Sequence, residues 1–221
     1  MHKAGFVNIF GKPNAGKSTL LNALVGEKLA IVTPKVQTTR QRIRGILNGQ
    51  DYQIVFSDTP GIIDPRYKLH EKMMSEVKAA LEDADLALLI ADAGEDAAGT
   101  IPIFSRLQLK VPALLLLNKT DTVTAAEVEI KKEQYQTLDF LKEIIPVSAL
   151  HNTNIDRLLE SILRYLPEGP SFFPEDELTD RPMRFFIAEM IREKILLLYE
   201  EEIPYHTAVL VTEFREKTTL T

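Results

Sequence analysis

The segment GKPNAGKS, at residues 11–18, matches the pattern G-x-x-x-x-G-K-S, and its residue types suit the binding of a phosphate chain. Gly11 and Gly16 allow a backbone that turns successive N–H groups inward, where they form an anion cradle. Lys17 can place its ammonium group on the phosphates, and the Ser18 hydroxyl can ligate Mg²⁺. The predicted phosphate-binding residues are Gly11, Lys12, Pro13, Asn14, Ala15, Gly16, Lys17, Ser18 and Thr19.

A second motif, NKTD at residues 118–121, bears on the choice of base. The Asp121 carboxylate can accept hydrogen bonds from N1–H and the exocyclic amine of guanine, whereas adenine would leave it poorly paired. Asn118 can bond the base edge or tie loops together, and the stem of Lys119 can lie along the base. The segment VSAL, at 147–150, is a candidate for a further guanine-contacting loop. The predicted base-binding residues are Asn118, Lys119, Thr120, Asp121, Ser148 and Ala149.

A third motif, DTPG at residues 58–61, is typical of a magnesium and terminal-phosphate site. Asp58 can hold Mg²⁺ directly or through water, and the Gly61 amide can sense a γ-phosphate. The segment QTTRQ, at 37–41, lies where a switch loop belongs, and we favour Thr39 as the residue that closes on Mg²⁺. The predicted magnesium ligands are Ser18, Thr39 and Asp58, and the predicted catalytic residues are Lys17, Thr39, Asp58 and Gly61. Further predicted nucleotide contacts are Thr38, Thr59, Pro60 and Ile62.

Composition excludes several other kinds of site. The 221 residues include no cysteine, which excludes disulfides, Cys-ligated zinc and thiol catalysis, and the net charge of −6 argues against an extended polyanion-binding surface. The four histidines have no metal-ligand spacing, and we expect surface or capping roles for them: His2, His70, His151 and His206. The apolar runs are far shorter than the ~20 residues of a membrane span. The N-terminus has no signal-peptide pattern, so we expect a cytoplasmic protein.

Residues 1–166 alternate strand-like and helix-like runs, which predicts a doubly wound α/β domain with a mostly parallel sheet. The predicted strands 42–48 and 52–57 are separated only by turn residues and should form an antiparallel hairpin. The predicted strands are 5–10, 42–48, 52–57, 86–92, 113–118 and 144–148. The predicted helices are 17–26, 69–83, 98–109, 124–142 and 155–165.

The C-terminal part has a different organisation. Residues 167–182 contain four prolines and several acids, which indicates a linker. A helix is predicted over 183–201 and a strand over 206–214. One helix and one strand cannot bury a core, so we interpret 183–221 as the truncated beginning of a second domain. The alternative is a helix–strand pair that docks on the first domain.

One basic cluster is prominent, with no acid between Glu27 and Asp51. Two interpretations are open: a solvated loop and edge strand, or a surface that meets phosphates of a ligand or partner. The cluster comprises Lys35, Arg40, Arg42 and Arg44.

The wording of these motifs resembles the translation-factor-related class of small GTPases, on GKPNAGKSTLLN, PKVQTTRQRIRGI, FSDTPGI and LLLNKTD. With LPEGPSFFPEDELTDRP and EEIPYHTAVLVTEF included, the chain resembles the Era-type GTPases nearly end to end. The resemblance implies a P-loop GTPase domain followed by a KH domain, with GTP/GDP and Mg²⁺ as ligands. It also implies binding of small-subunit ribosomal RNA, a role in small ribosomal subunit assembly and a peripheral contact with the inner face of the cell membrane. We expect a monomer.

The resemblance carries two mechanistic implications and one departure. Ile62 occupies the position where Ras-type enzymes have a water-orienting glutamine, so intrinsic hydrolysis should be slow. Asn14 matches an asparagine that resembles a K⁺ ligand in potassium-dependent members, which implies K⁺ stimulation. A KH domain carries a GxxG loop that clamps the nucleic-acid backbone, but no glycine follows residue 183 here, and 171–221 has 11 acidic and 6 basic side chains.

Three alternative functions fit parts of the pattern. A P-loop kinase or ATPase would share GKPNAGKS but lacks a use for NKTD. Another ribosome-associated GTPase of the same class would share all the motifs but not the linker wording. A GTP-dependent scaffold with incidental hydrolysis is favoured by Ile62.

Overall fold

A single six-stranded sheet forms the centre of the molecule, in a computed structural model that describes residues 1–201 and 203–214. The strand order is β2-β3-β1-β4-β5-β6, and every neighbouring pair is parallel except the antiparallel β2–β3 hairpin. The strands are β1 Lys3–Gly11, β2 Ile43–Gly49, β3 Tyr52–Asp58, β4 Leu86–Asp92, β5 Ala113–Asn118 and β6 Leu141–Pro146. The doubly wound α/β prediction and the hairpin are confirmed.

Helices cover both faces of this sheet, which explains why the central strands are apolar without interruption. Along β4, alternate side chains enter two different cores: Leu88 joins one and Leu89 the other. The first core includes side chains of α1 and α5, and the second includes side chains of α2, α3 and α4. The helices are α1 Lys17–Val25, α2 Lys68–Glu82, α3 Ile101–Ser105, α4 Ala125–Tyr135, α5 Ile155–Tyr165, α6 Met183–Leu198 and α7 Ile203–His206.

Two helices are shorter than predicted, for local reasons. The helix expected over 98–109 is limited to α3, because a separate 3₁₀ turn precedes it and Gln108 adopts a positive φ of 48° soon after it. The helix expected over 124–142 begins as predicted, at a capping box formed by Thr124 and Glu127, but ends at Tyr135. The chain then turns into β6, which starts three residues before the predicted strand 144–148.

The segment 167–182 forms no helix or strand, yet it is fastened along the hairpin edge. Gln53 Oε1 accepts hydrogen bonds from the backbone N–H groups of Phe172 and Phe173 at 2.7 and 2.9 Å. The Ile46 N–H on β2 donates to the Leu178 carbonyl oxygen at 2.9 Å. The linker therefore supplies an acceptor to an edge strand that would otherwise be open.

The C-terminal end differs from its prediction. Helix α6 agrees with the predicted helix 183–201 to within a few residues, but the strand predicted over 206–214 is wrong. Residues 203–206 form α7, and 207–214 form neither helix nor strand. A strand requires a partner ladder, and none lies beside this segment in the part of the chain that the structure describes. Leu210 of the alternating pattern is accordingly 84% exposed.

The members of the basic cluster are engaged in hydrogen bonds and ion pairs within the molecule. Arg42 is buried and donates to Ser57 Oγ, Asn8 Oδ1 and both oxygens of Asp83. Arg44 donates to Asp180 at 3.0 Å. The side chains of the other two members donate to backbone carbonyl oxygens of the C-terminal part: Lys35 and Arg40.

Among the described residues, no helix is long and apolar enough to cross a membrane.

The Arg42 network predicts a measurable stability effect. Replacing Arg42 by methionine leaves the Asn8 amide oxygen without its donor and Asp83 without its bidentate partner. Because Asp83 is 39% exposed, the loss should be below the ~3–5 kcal/mol of a fully buried pair, at about 2 kcal/mol of unfolding free energy. Urea denaturation without added nucleotide measures it.

The matched control is Lys132→Met, which breaks an exposed pair with Glu129 on α4. That change should cost less than about 0.5 kcal/mol. Equal losses in the two variants would contradict a structural role for Arg42.

Candidate nucleotide-binding site

The loop between β1 and α1 is shaped by close contacts with the ends of two other strands. Gly16 has a φ of 101°, and a Cβ atom there would lie 2.2 Å from Asn118 Nδ2. Asn118 Nδ2 donates to the Ala15 carbonyl oxygen at 2.9 Å, and Asn118 Oδ1 accepts from the Ala149 N–H at 3.0 Å. Asn118 therefore ties the three loops together, one of the two roles open to it from the sequence. A Cβ at Gly11 would lie 2.4 Å from the Ile90 carbonyl oxygen, so this position also needs glycine.

A cavity of about 510 Å³ lies above this loop, a size within the usual range for small-molecule sites. Twelve of the predicted site residues line it: Pro13, Asn14, Gly16, Lys17, Ser18, Thr19, Thr38, Thr39, Gly61, Asn118, Lys119 and Asp121. The other ten lie outside the lining: Gly11, Lys12, Ala15, Asp58, Thr59, Pro60, Ile62, Thr120, Ser148 and Ala149. Gln37 and Leu150, from the predicted segments 37–41 and 147–150, also line it, and six further lining residues were not anticipated: Ile31, Val32, Thr33, Pro34, Met73 and Thr122.

Three side-chain oxygens meet beside the first turn of α1. The Ser18 hydroxyl donates to Asp58 Oδ2 at 2.6 Å, and the Thr39 hydroxyl donates to the same oxygen at 2.9 Å. The two hydroxyls are 3.0 Å apart. Asp58 Oδ1 is buried and has no hydrogen-bond partner among the described residues. A hard cation that prefers oxygen ligands fits this set, since it would satisfy the unpaired oxygen.

Burial perturbs the two charged groups at this point in opposite directions. Burial raises the pKa of Asp58, and the nearby Lys17 charge and the two hydroxyl donors oppose that rise. Burial lowers the pKa of Lys17 to about 8, against an opposing effect of Asp58. Lys17 Nζ donates to the carbonyl oxygens of Lys12 and Gly11 at 2.7 and 3.2 Å. The ammonium group is therefore held at the mouth of the anion cradle.

At the other end of the cavity, the carboxylate of Asp121 is positioned to accept hydrogen bonds from a ligand. The Ser148 hydroxyl donates to Asp121 Oδ1 at 2.5 Å and holds the pKa of this carboxyl below its usual value. Lys119 has a φ of 64°, and its ammonium group pairs with Asp92 at 2.7 Å. The Thr120 hydroxyl donates to the Val147 carbonyl oxygen at 3.1 Å, which fixes the loop. Asp121 thus remains ionised, with Oδ1 bonded to Ser148 and Oδ2 at 3.8 Å from His151 Nε2.

The DTPG segment turns part of its length away from the cavity. Thr59 is buried and donates from Oγ1 to the Ile9 carbonyl oxygen at 2.6 Å. The Ile62 N–H donates to the Gly11 carbonyl oxygen at 3.0 Å, and the Ile62 side chain lies against the second core. Gly61 lies so close to the phosphate loop that a Cβ would be 2.7 Å from the Pro13 nitrogen.

The loop 33–41 is closed over the cavity by contacts that the sequence did not reveal. The Gln37 amide nitrogen lies 3.0 Å from the Tyr67 hydroxyl and 2.9 Å from His70 Nε2. The rings of Tyr67 and His70 stack with centroids 3.8 Å apart. His70 is buried, so the surface role is wrong, but its Nδ1 accepts from the Arg66 N–H at 3.3 Å beside the start of α2, which agrees with the other expected role, capping. Its spacing with Met73 and Val77 on one face of α2 is the signal that could have indicated burial.

The phosphate loop also contacts this closed loop directly. Asn14 has a φ of 62°, and its amide nitrogen donates to the Pro34 carbonyl oxygen at 3.0 Å. Thr38 Oγ1 donates to the Lys35 carbonyl oxygen at 2.6 Å, which stabilises the turn before Thr39. The site therefore has its cover in place over the phosphate loop.

Comparison with known proteins gives consistent findings. Residues 6–119 match the family model described as 50S ribosome-binding GTPase. The chain is 44% identical over 218 residues to GTPase Era of Ruminiclostridium cellulolyticum, covering 98% of this chain and 73% of that protein. It is 45% identical over 216 residues to GTPase Era of Heliobacterium modesticaldum, covering 97% of this chain and 72% of that protein.

Solved structures give similar matches. One is Era in complex with MgGDPNP and nucleotides 1506–1542 of 16S ribosomal RNA, with a TM-score of 0.88, 41% identity and coverage of 93% of this chain and 70% of that one. Another is a variant of Era from Aquifex aeolicus bound to GDP·AlF4⁻, with a TM-score of 0.87, 43% identity and coverage of 91% and 70%.

The lowered pKa of Lys17 predicts proton uptake on nucleotide binding. Near pH 8 about half of the free molecules carry a neutral Lys17. A phosphate placed on the ammonium group raises that pKa again, so binding of GDP should take up about half a proton. Calorimetry in two buffers of different ionisation enthalpy measures the uptake.

The internal control is the same titration near pH 6.5, where Lys17 is already charged and this uptake should vanish. An uptake of equal size at both values of pH would show that another group is responsible.

Proposed function

Because the chain belongs to the Era family of GTPases, we propose that it acts as a GTP-hydrolysing switch in assembly of the small ribosomal subunit. The observation that carries the proposal is one cavity that joins an anion cradle, an oxygen-rich cation site and the Asp121 carboxylate. A relative with 41% identity has been solved with MgGDPNP and part of 16S ribosomal RNA.

Asp121 carries the choice of guanine in this proposal. Its carboxylate stays ionised because Ser148 donates to it, and it borders the cavity beside Lys119. An ionised carboxylate accepts from both N1–H and the exocyclic amine of guanine, whereas adenine offers neither donor. Asn118 holds the loops at their separation through one hydrogen bond at each end of its amide.

The phosphate end divides its work among three groups. Ser18, Thr39 and Asp58 would hold Mg²⁺, which, when bound, neutralises charge on the β- and γ-phosphate oxygens. Lys17 and the backbone N–H groups of residues 14–18 stabilise the charge that develops between these phosphates. The Gly61 amide, pressed against Pro13, is placed to sense whether a γ-phosphate is there.

Hydrolysis by this site alone should be slow. The Ile62 side chain lies against the core and has no group that can orient a water molecule. We propose that a monovalent cation binds beside Asn14 and accelerates hydrolysis. The positive charge of this cation would act where other GTPases use an arginine. Ile62 also supports a second candidate function, a GTP-dependent scaffold in which hydrolysis is incidental.

The ribosomal part of the proposal rests on the relatives. The chain spans about three quarters of the length of the curated relatives it matches. We interpret 1–166 as the GTPase domain, 167–182 as the linker and 183–221 as the first part of a KH-like unit. Exposed apolar side chains on α6 support this division, because they leave a face for further chain to cover: Met190, Ile191, Leu197 and Leu198. A cytoplasmic location, a monomeric state and a peripheral membrane contact remain proposals drawn from resemblance.

Base recognition is tested by Asp121→Asn. An amide in place of the carboxylate loses one acceptor and places a donor against guanine, so affinity should shift from GTP towards XTP by on the order of 100-fold. Competition of GTP, XTP and ATP against a fluorescent GDP analogue measures the preference. Asp139→Asn, an exposed change far from the cavity, is the matched control. An unchanged preference in Asp121→Asn would contradict this assignment of the base.

The cation proposal is tested by single-turnover hydrolysis in equal concentrations of K⁺ and Na⁺. Wild type should be faster in K⁺, and Asn14→Ala should lose the difference, because the amide oxygen of Asn14 is the proposed ligand. Equal wild-type rates in the two salts would remove the cation site and leave the GTPase assignment intact.

A further inference from the structure

Helix α6 places a buried guanidinium group on the backbone of the loop 33–41. Arg192 is only 4% exposed, although it lies more than 150 positions from that loop in sequence. Its Nη2 donates to the Thr38 carbonyl oxygen at 2.5 Å. Glu189, one turn earlier, accepts two hydrogen bonds along one edge of the guanidinium group, at 2.8 Å from Nε and 2.5 Å from Nη2. Arg192 is therefore a preorganised donor for one backbone carbonyl.

The next residue of α6 contacts the start of the same loop. Glu193 is 5% exposed, and its Oε1 accepts from the Val32 N–H at 3.3 Å. Its Oε2 pairs with Lys28 Nζ at 2.9 Å. Neighbouring side chains on α6 thus bond the segment that covers the cavity at two places. Glu193 bonds it at residue 32, and Arg192 bonds it at residue 38.

The loop 33–41 also donates hydrogen bonds to the C-terminal part, through the guanidinium group of Arg40. Arg40 donates to the carbonyl oxygens of Pro204, Tyr205 and Thr207 at distances of 2.8–3.0 Å. The contact between the loop and the C-terminal part is therefore reciprocal, and it involves donors from both sides.

The position of the Arg192 contact connects it to the cation site. The Thr38 carbonyl and the Thr39 N–H belong to one planar peptide unit, so a donor on that carbonyl fixes the direction in which the next residue leaves it. Thr39 Oγ1 lies 2.9 Å from Asp58 Oδ2 and 3.0 Å from Ser18 Oγ. Holding the Thr38 carbonyl therefore holds the Thr39 hydroxyl in the oxygen cluster.

We propose that Arg192, supported by Glu193, is a positioning residue that keeps Thr39 closed on the magnesium site and so favours the triphosphate over the diphosphate. The inference rests on the proposed function, in which Thr39 is one of the Mg²⁺ ligands, and it adds that this ligand acts when a γ-phosphate is bound. Because coupling is reciprocal, a bound triphosphate in turn stabilises α6 against the loop.

The contact between Arg192 and the loop 33–41 carries a free-energy cost. Arg192 Nη1 is buried without a hydrogen-bond partner among the described residues, which costs free energy in the closed arrangement. Burial, together with the like charge of Arg192, also lowers the pKa of Arg40. Such costs lower the stability of the closed arrangement, so the contacts of a bound ligand would favour it further.

The test is a comparison of affinities in the full 221-residue chain. Arg192→Met keeps the length of the side chain but removes its donors. It should weaken binding of a non-hydrolysable GTP analogue with Mg²⁺ about tenfold, through loss of a charge-assisted hydrogen bond, and leave GDP affinity within about twofold. Arg192→Lys, which retains a charge and a donor, should recover part of the loss. Lys194→Met, an exposed change on the same helix, should alter neither affinity.

Equal losses for the GTP analogue and GDP, or no loss for either, would overturn the positioning role. If wild type itself failed to bind the GTP analogue, the proposed function would fail, and the inference with it. Normal wild-type binding with an unaffected Arg192→Met variant would remove the inference alone.

A second measurement does not depend on a variant that might fold poorly. Hydrogen exchange of the backbone amides of residues 183–198 in wild type should be slower with the GTP analogue than with GDP. Identical exchange in the two states would contradict the coupling of α6 to the loop.

Discussion

The carboxylate of Asp58 has no exposure to solvent, and a buried charge is stable only if other groups compensate for it. The compensating groups come from separate segments: the Ser18 hydroxyl from α1, the Thr39 hydroxyl from the covering loop and the charge of Lys17. A six-stranded sheet that ends its parallel strands at one edge brings these segments within reach. Much of the remaining structure follows from keeping them there.

Asn118 connects backbone segments around the site, as Asp58 connects side chains. Its amide bonds the phosphate loop on one side and the loop after β6 on the other. The anion cradle and the base-binding end are therefore linked directly through one side chain. The covering loop is held differently, by Gln37 against α2 and by Arg192 on α6, so its position depends on elements that lie outside the motifs.

The elements predictable from sequence were those determined by local pattern. Continuous apolar runs gave the central strands, and fixed motif spacing gave the residues around the cavity. Contacts between distant segments were not predictable, because a long charged side chain looks the same in sequence whether it meets water or a backbone carbonyl. Arg40 and Arg192 are such cases. The alternation over 206–214 failed for a related reason: an alternating pattern specifies a strand only when a neighbouring strand is available to pair with it.

The contact between Leu178 and Ile46 has a consequence for how this protein can be shortened. Residues 1–166 contain every motif of the nucleotide site, so a chain cut after Leu166 would be the natural minimal domain. Such a chain would uncover β2, whose free backbone groups are a template for pairing with a second molecule. It would keep the motifs of the nucleotide site but lose the Arg192 contact with Thr38, and its uncovered strand would favour self-association. The proline-rich segment thus covers part of an open sheet edge as well as connecting two parts of the chain.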